Sequence, residues 1–72
     1  MDKYRIIIFK SLSLIPAIFK VYWNNDTKKD EETLENKIMT GLNGNAILFV
    51  DTKGKRRIYD RNIITKIFVK KI

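Results

Sequence analysis

The fold is decided by residues 44–72, which read GNAILFVDTKGKRRIYDRNIITKIFVKKI. Two runs rich in β-branched and aromatic residues flank the turn-forming segment 51–54, where Gly54 can adopt the positive φ of a three-residue loop with a bulge. The pattern predicts a hairpin of strands 45–51 and 55–60, with Leu48 opposite Ile58. A short turn at 61–63 and a last strand over 64–71 complete this half.

The first half of the chain predicts two more strands and a helix. Residues 3–10 (KYRIIIFK) and 17–23 (AIFKVYW) are β-rich, and a hairpin across 11–16 is their simplest pairing. A helix is predicted over 28–41. Its start has the capping-box spacing of Thr27 and Asp30, its apolar stripe repeats every fourth residue, and two glycines are candidates for its end. The stripe comprises Leu34, Ile38 and Leu42, and the candidate end residues are Gly41 and Gly44.

The order ββαβββ predicts one α+β domain over residues 1–72, a β-hairpin, a helix and a three-strand antiparallel meander, with the helix packed on one face of the sheet. The topology of 45–72 resembles the closing half of small SH3-like barrels, so a partly closed barrel remains an alternative. Local patterns do not give the pairing order of the five strands. Both faces of the second hairpin carry apolar residues, which predicts that it is covered on both sides, at least in part. The predicted scaffold of this half is Leu48, Val50, Ile58, Ile67 and Val69.

Composition argues against catalysis. The chain has neither histidine nor cysteine, so the usual general base, thiolate nucleophile and transition-metal ligands are missing. The acids Glu31, Glu32 and Glu35 fit the start of a helix, where they complement its dipole, and Asp51 and Asp60 fit turn and strand-end roles. We therefore expect a protein that is not an enzyme and has no cofactor and no metal site.

Positive charge supplies the functional hypothesis. Fifteen Lys and Arg stand against eight Asp and Glu, for a net charge of +7, and the basic excess lies mainly in 45–72. Cations beside aromatic rings are typical of sheets that bind single-stranded nucleic acid, although a row of lysines also occurs on solvated strand faces. The candidate site for DNA or RNA comprises Lys53, Lys55, Arg56, Arg57, Tyr59, Arg61, Lys66, Phe68, Lys70 and Lys71.

A second hypothesis is a phage- or plasmid-encoded interaction module that contacts an acidic protein surface and inhibits or regulates a host enzyme. Small size and a composition rich in Ile, Lys and Asn, which AT-rich genomes favour, fit it as well. The small core and the two-sided apolar hairpin predict a homodimer. The uncharged run 11–19 is too short to span a bilayer, so we expect no membrane span and a cytoplasmic location.

Overall fold

The computed structural model describes residues 2–23 and 30–72 and confirms the α+β class and the order ββαβββ. Short 3₁₀ helices follow the α-helix and the fourth strand. The predicted bounds of the second and fifth strands are confirmed, whereas the predicted helix start and Thr27 lie outside the described residues. The elements are β1 (Asp2–Lys10), β2 (Ala17–Trp23), α1 (Asp30–Met39), β3 (Ala46–Val50), β4 (Arg56–Asp60) and β5 (Ile64–Lys71), with 3₁₀ turns at Gly41–Gly44 and Arg61–Ile63.

The strands form two antiparallel sheets. The first has the order β2-β1-β5 and the second pairs β3 with β4. The last strand therefore pairs with β1 and is not hydrogen-bonded to β4 as a continuous meander would require. The Arg61–Ile63 turn carries the chain from one sheet to the other, and the Asp60 side chain caps it by accepting from the Asn62 N–H. A backbone bond from Thr52 N–H to the Lys20 carbonyl (2.9 Å) joins the sheets, but the described strands do not close into a barrel.

The core lies between the sheets and α1. Tyr4, Ile6 and Ile8 are fully buried, because alternate residues of a strand point to the same face. Ile38 of the helix and Ile47 of β3 pack into the same cluster. The helical stripe predicted from the sequence is confirmed at Leu34 and Ile38, and Ile67 of β5 is also buried. One face of each sheet thus faces inward.

The turn between β3 and β4 follows the predicted register, with Leu48 opposite Ile58. Gly54 has a φ of +80°, the left-handed conformation that glycine adopts at least cost. The Asp51 carboxylate accepts hydrogen bonds from the backbone N–H groups of Lys53 (2.9 Å) and Lys55 (3.0 Å). A turn role for this carboxylate, expected from the sequence, is therefore confirmed.

The second hairpin is covered in part on both faces, as predicted, because Ala46 is buried and Leu48 is half-buried beside the Gly41–Gly44 turn on the outer face. Ile47 and Phe49 are buried on the inner face, whereas Val50 is 54% exposed and Ile58 53% exposed on the outer face. These two residues are exposed because β3 and β4 form a sheet of their own, and a two-stranded sheet needs only one fully packed face to anchor it to a core. Val50 and Ile58 are therefore not scaffold residues.

Candidate nucleic-acid interface

The first sheet turns one face to the core and the other to solvent. We call the latter the outer sheet face. Its residues alternate with the buried Tyr4, Ile6 and Ile8, so they point away from the core. The outer sheet face consists of Lys3, Arg5, Ile7 and Phe9 of β1, Ile18, Lys20 and Tyr22 of β2, and Lys66, Phe68 and Lys70 of β5.

Strand register arranges these side chains in rows across the sheet. Arg5 lies opposite Lys20 on one side and Lys70 on the other, which makes a row of three cations. Neighbouring strands lie about 4.8 Å apart, so this row spans roughly 10 Å. The next row is apolar, since Ile7 lies between Ile18 and Phe68. A positive row thus runs beside an apolar, partly aromatic row.

Aromatic rings on this face are accessible and are accompanied by cations. Phe68 is 44% exposed, and the Lys66 ammonium lies 4.5 Å from its ring centroid. The Phe9 ring meets Phe68 edge-on at 5.8 Å. At the other end, the Lys3 ammonium lies 5.6 Å from the ring of the exposed Tyr22. All five charged side chains on this face of the described strands are basic, so its electrostatic potential is positive throughout.

The predicted site residues of β5 divide between the two faces of their strand. Lys66, Phe68 and Lys70 lie on the outer sheet face, whereas Lys71 points to the opposite side. The Lys71 ammonium pairs with an Asp2 carboxylate oxygen at 3.3 Å, and its backbone N–H donates to Glu31 Oε2 at 2.7 Å. Lys71 therefore ties β5 to the helix and to β1 and does not contribute to the outer sheet face.

Arg57 and Tyr59 point inward from β4. The Arg57 guanidinium lies 4.8 Å from the Phe19 ring, and its Nε donates to Asp51 Oδ2 at 3.0 Å. The Tyr59 ring lies 6.1 Å from the same phenylalanine. The pKa of Asp51 lies below its ordinary value, chiefly because the Lys55 backbone N–H donates to the carboxylate. Burial opposes this effect, and the Arg57 side chain and the Lys53 backbone N–H add to it. Both predicted site residues thus serve the joint between the sheets.

Arg61 also has a structural role. Its Nη1 donates to the carbonyl of Met39 at 2.6 Å, and Met39 is the last residue of α1. A cation at this end complements the negative end of the helix dipole and satisfies a carbonyl that has no partner within the helix. The guanidinium is therefore engaged by its own chain.

The remaining predicted residues, Lys53, Lys55 and Arg56, are exposed at the tip of the second hairpin. Lys53 lines a notch of about 340 Å³ between the hairpin tip and β2. Lys20 lines the same notch, and it also belongs to the outer sheet face. The hairpin tip therefore adjoins the outer sheet face at Lys20, but it does not form part of that face.

Sequence reasoning missed the part of this face that β1 and β2 supply. The missed residues are Lys3, Arg5, Phe9, Lys20 and Tyr22. For Lys3 and Arg5, the signal was present as a two-residue alternation of basic and apolar positions in KYRIII. The sequence predicts β2 beside β1 but not β5 on the other side of β1, and the cationic row forms only when all three strands are in register.

No protein-family model, curated protein or solved structure matches this chain significantly. Among the described residues, no helix is long and apolar enough to cross a membrane, and no group of three acids converges as a metal site would require. The fold and the outer sheet face together define the class of this protein, which is a small α+β domain with an exposed sheet face that is basic and carries exposed aromatic rings.

Proposed function

We propose that this protein is a small, non-enzymatic binding protein that contacts single-stranded nucleic acid through its outer sheet face. The observation that carries the proposal is the row of Arg5, Lys20 and Lys70 beside a row that ends in Phe68. Cations in register neutralise phosphates, and exposed rings offer a surface on which unpaired bases stack. The proposed binding surface therefore comprises the whole first sheet and not only the C-terminal strands.

Each part of the face has a distinct task in this proposal. The three-cation row, Lys3 and Lys66 follow the phosphate backbone, which supplies most of the affinity and makes it depend on salt. Phe68 and Tyr22 stack on bases, and stacking tolerates any sequence because every base has a π-face. In a duplex the bases are already stacked on one another, so its phosphates can contact the cations but its bases cannot stack on the aromatic rings. We therefore expect single strands to bind more tightly than duplexes.

The test is fluorescence polarisation with labelled DNA and RNA single strands of about ten nucleotides and with the matched duplex. Phe68→Ala removes one stacking partner, which is worth about 1–3 kcal/mol per base and lowers the affinity about 5- to 150-fold. Ile58→Ala is the matched control, because Ile58 is similarly exposed but lies on the second sheet.

Binding that weakens with Phe68→Ala and not with Ile58→Ala supports the proposal. The proposal fails if no oligonucleotide binds at micromolar protein in low salt. It also fails if the two substitutions have equal effects, because the rings of the outer sheet face would then not be the contact.

A second candidate function, a protein-interaction module, is favoured by the loop between β1 and β2. Leu12 and Leu14 are fully exposed and Ile15 is 78% exposed, and a large exposed apolar cluster marks an interaction site more often than a single exposed residue does. The Ser11 N–H donates to the Ile63 carbonyl at 2.8 Å, which anchors the base of the loop and leaves its tip projecting.

This candidate is tested by capture from a nuclease-treated lysate with the wild-type chain and with Leu12→Ser/Leu14→Ser. A stoichiometric protein that the wild type retains and the double variant loses supports an interaction module. Loss of all captured material after nuclease treatment contradicts it and favours the nucleic-acid proposal.

A further inference from the structure

A cleft lies between the end of β2, the helix α1 and β3. Its volume is about 270 Å³, just below the range of about 300–1,000 Å³ for small-molecule sites. Its walls include the buried Val21, Leu34, Ile38 and Phe49. The other lining residues are Tyr22, Trp23, Lys37, Leu48 and Val50.

Trp23 places an unused donor at this cleft. Its indole Nε1 is buried and has no hydrogen-bond partner in the described part of the chain. A buried donor without an acceptor costs about 1–3 kcal/mol, and such groups are few in folded proteins. An acceptor bound in the cleft would remove this cost.

Lys37 supplies a cation beside the same ring. Its ammonium lies 4.5 Å from the centroid of the Trp23 ring, and it is the one charged residue among the described residues that line the cleft. The polar groups at this point are thus an N–H donor and a positive charge, whereas most of the lining is apolar. A cationic ligand would be repelled, and a wholly apolar one would leave both donors unused.

We propose that the cleft binds a small amphiphilic anion, namely an alkyl or aryl carboxylate. Its apolar body packs against Leu34, Ile38 and Phe49, and its carboxylate accepts from Trp23 Nε1 and pairs with the Lys37 ammonium. The proposal is independent of nucleic-acid binding, since it uses none of the cations of the outer sheet face.

The chain contains a single tryptophan, so its emission reports directly on the site. Octanoate, octanol and octylamine share the same alkyl chain and differ in the head group, and each is titrated below its aggregation concentration while Trp23 emission is followed. We expect a saturable change with octanoate. Octanol, which cannot form an ion pair with the ammonium, should have an affinity at least about tenfold lower, and octylammonium should not bind.

Two lysine variants make the test specific. Lys37→Gln should weaken octanoate about tenfold or more and leave octanol unchanged. Lys70→Gln removes the same charge from the outer sheet face and should leave both unchanged. Trp23→Phe, followed by calorimetry because the fluorophore is gone, should weaken octanoate while circular dichroism confirms that the chain remains folded.

The proposal is overturned by any of three results: octanoate causes no saturable change, octanol binds as tightly as octanoate, or both lysine variants have the same effect. A Trp23→Phe chain that is folded and binds octanoate with wild-type affinity removes the indole N–H from the site.

Discussion

Replacing Arg5 and Lys70 by glutamine removes two of the three cations in the central row of the outer sheet face. Both side chains are exposed, so the substitutions leave the core intact. We expect weaker binding of single-stranded DNA at low salt and, more tellingly, a weaker dependence of that binding on salt.

The magnitude follows from the number of phosphates neutralised. For single strands, the logarithm of the binding constant falls with the logarithm of salt concentration with a slope of about −0.7 per neutralised phosphate. Five cations on the outer sheet face give a slope of about −3.5, and three give about −2.1. Between 50 and 200 mM salt, the wild type should therefore lose roughly 130-fold in affinity and the double variant roughly 20-fold.

The assay is fluorescence polarisation with a labelled dT oligomer over a salt series. Lys55→Gln/Arg56→Gln is the matched control, since it lowers the formal net charge from +7 by the same two units but changes the exposed tip of the second hairpin. A smaller slope for the sheet variant than for this control supports the account. Equal slopes for both variants would refute the reasoning, because net charge and not the sheet row would then govern binding.

Three further predictions concern stability and assembly. The pKa of Asp51 is lowered from 3.8 in the folded chain, so its ionised form stabilises the fold at neutral pH, and this contribution is lost as the pH falls through the lowered folded value. In urea titrations between pH 5 and pH 2, Asp51→Asn should therefore lose less free energy of unfolding than the wild type. Equal losses would contradict this prediction. Arg61→Met removes the bond to the Met39 carbonyl and should lower the free energy of unfolding by about 1–2 kcal/mol in urea titrations, whereas a change of only a few tenths would show that the cap contributes little. Because Val50 and Ile58 are half-exposed, we propose a homodimer through the outer face of the second hairpin. Light scattering should give twice 8.5 kDa for the wild type and the monomer mass for Ile58→Lys. A monomeric wild type would reject the proposal.

Local features of the fold were predictable because their causes are local. The turn at Gly54 fixes the pairing of Leu48 with Ile58, since a hairpin loop sets the register of its own strands. The periodic spacing of Leu34 and Ile38 identifies the buried side of the helix. These features need no knowledge of what lies beside them in space.

The pairing of β5 with β1 was not predictable in the same way. It joins residues 54 to 67 positions apart, from Lys10 with Ile64 to Tyr4 with Lys71, and several strand orders are compatible with the same alternating pattern. Because that pairing creates the row of Arg5 and Lys70, the central part of the candidate site was also hidden from the sequence.

Basic residues near one another in the sequence proved to have unlike roles. Arg57 pairs with Asp51, Arg61 donates to a carbonyl 22 positions away, and Arg56 is exposed. A sequence shows that these residues are cationic, but it does not show whether the chain itself supplies their acceptors. Charge patterning therefore predicted a basic surface, but three of the residues assigned to it, Arg57, Arg61 and Lys71, have partners within the chain.

The most direct test of the central claim is an NMR titration of the ¹⁵N-labelled chain with a short dT oligomer. We expect the largest amide shifts on the first sheet, at Arg5, Ile7, Lys20, Phe68 and Lys70, while Val50 and Ile58 change little. Shifts concentrated on the second hairpin, or no shifts at all at millimolar oligomer in low salt, would contradict the assignment of the outer sheet face as a nucleic-acid interface.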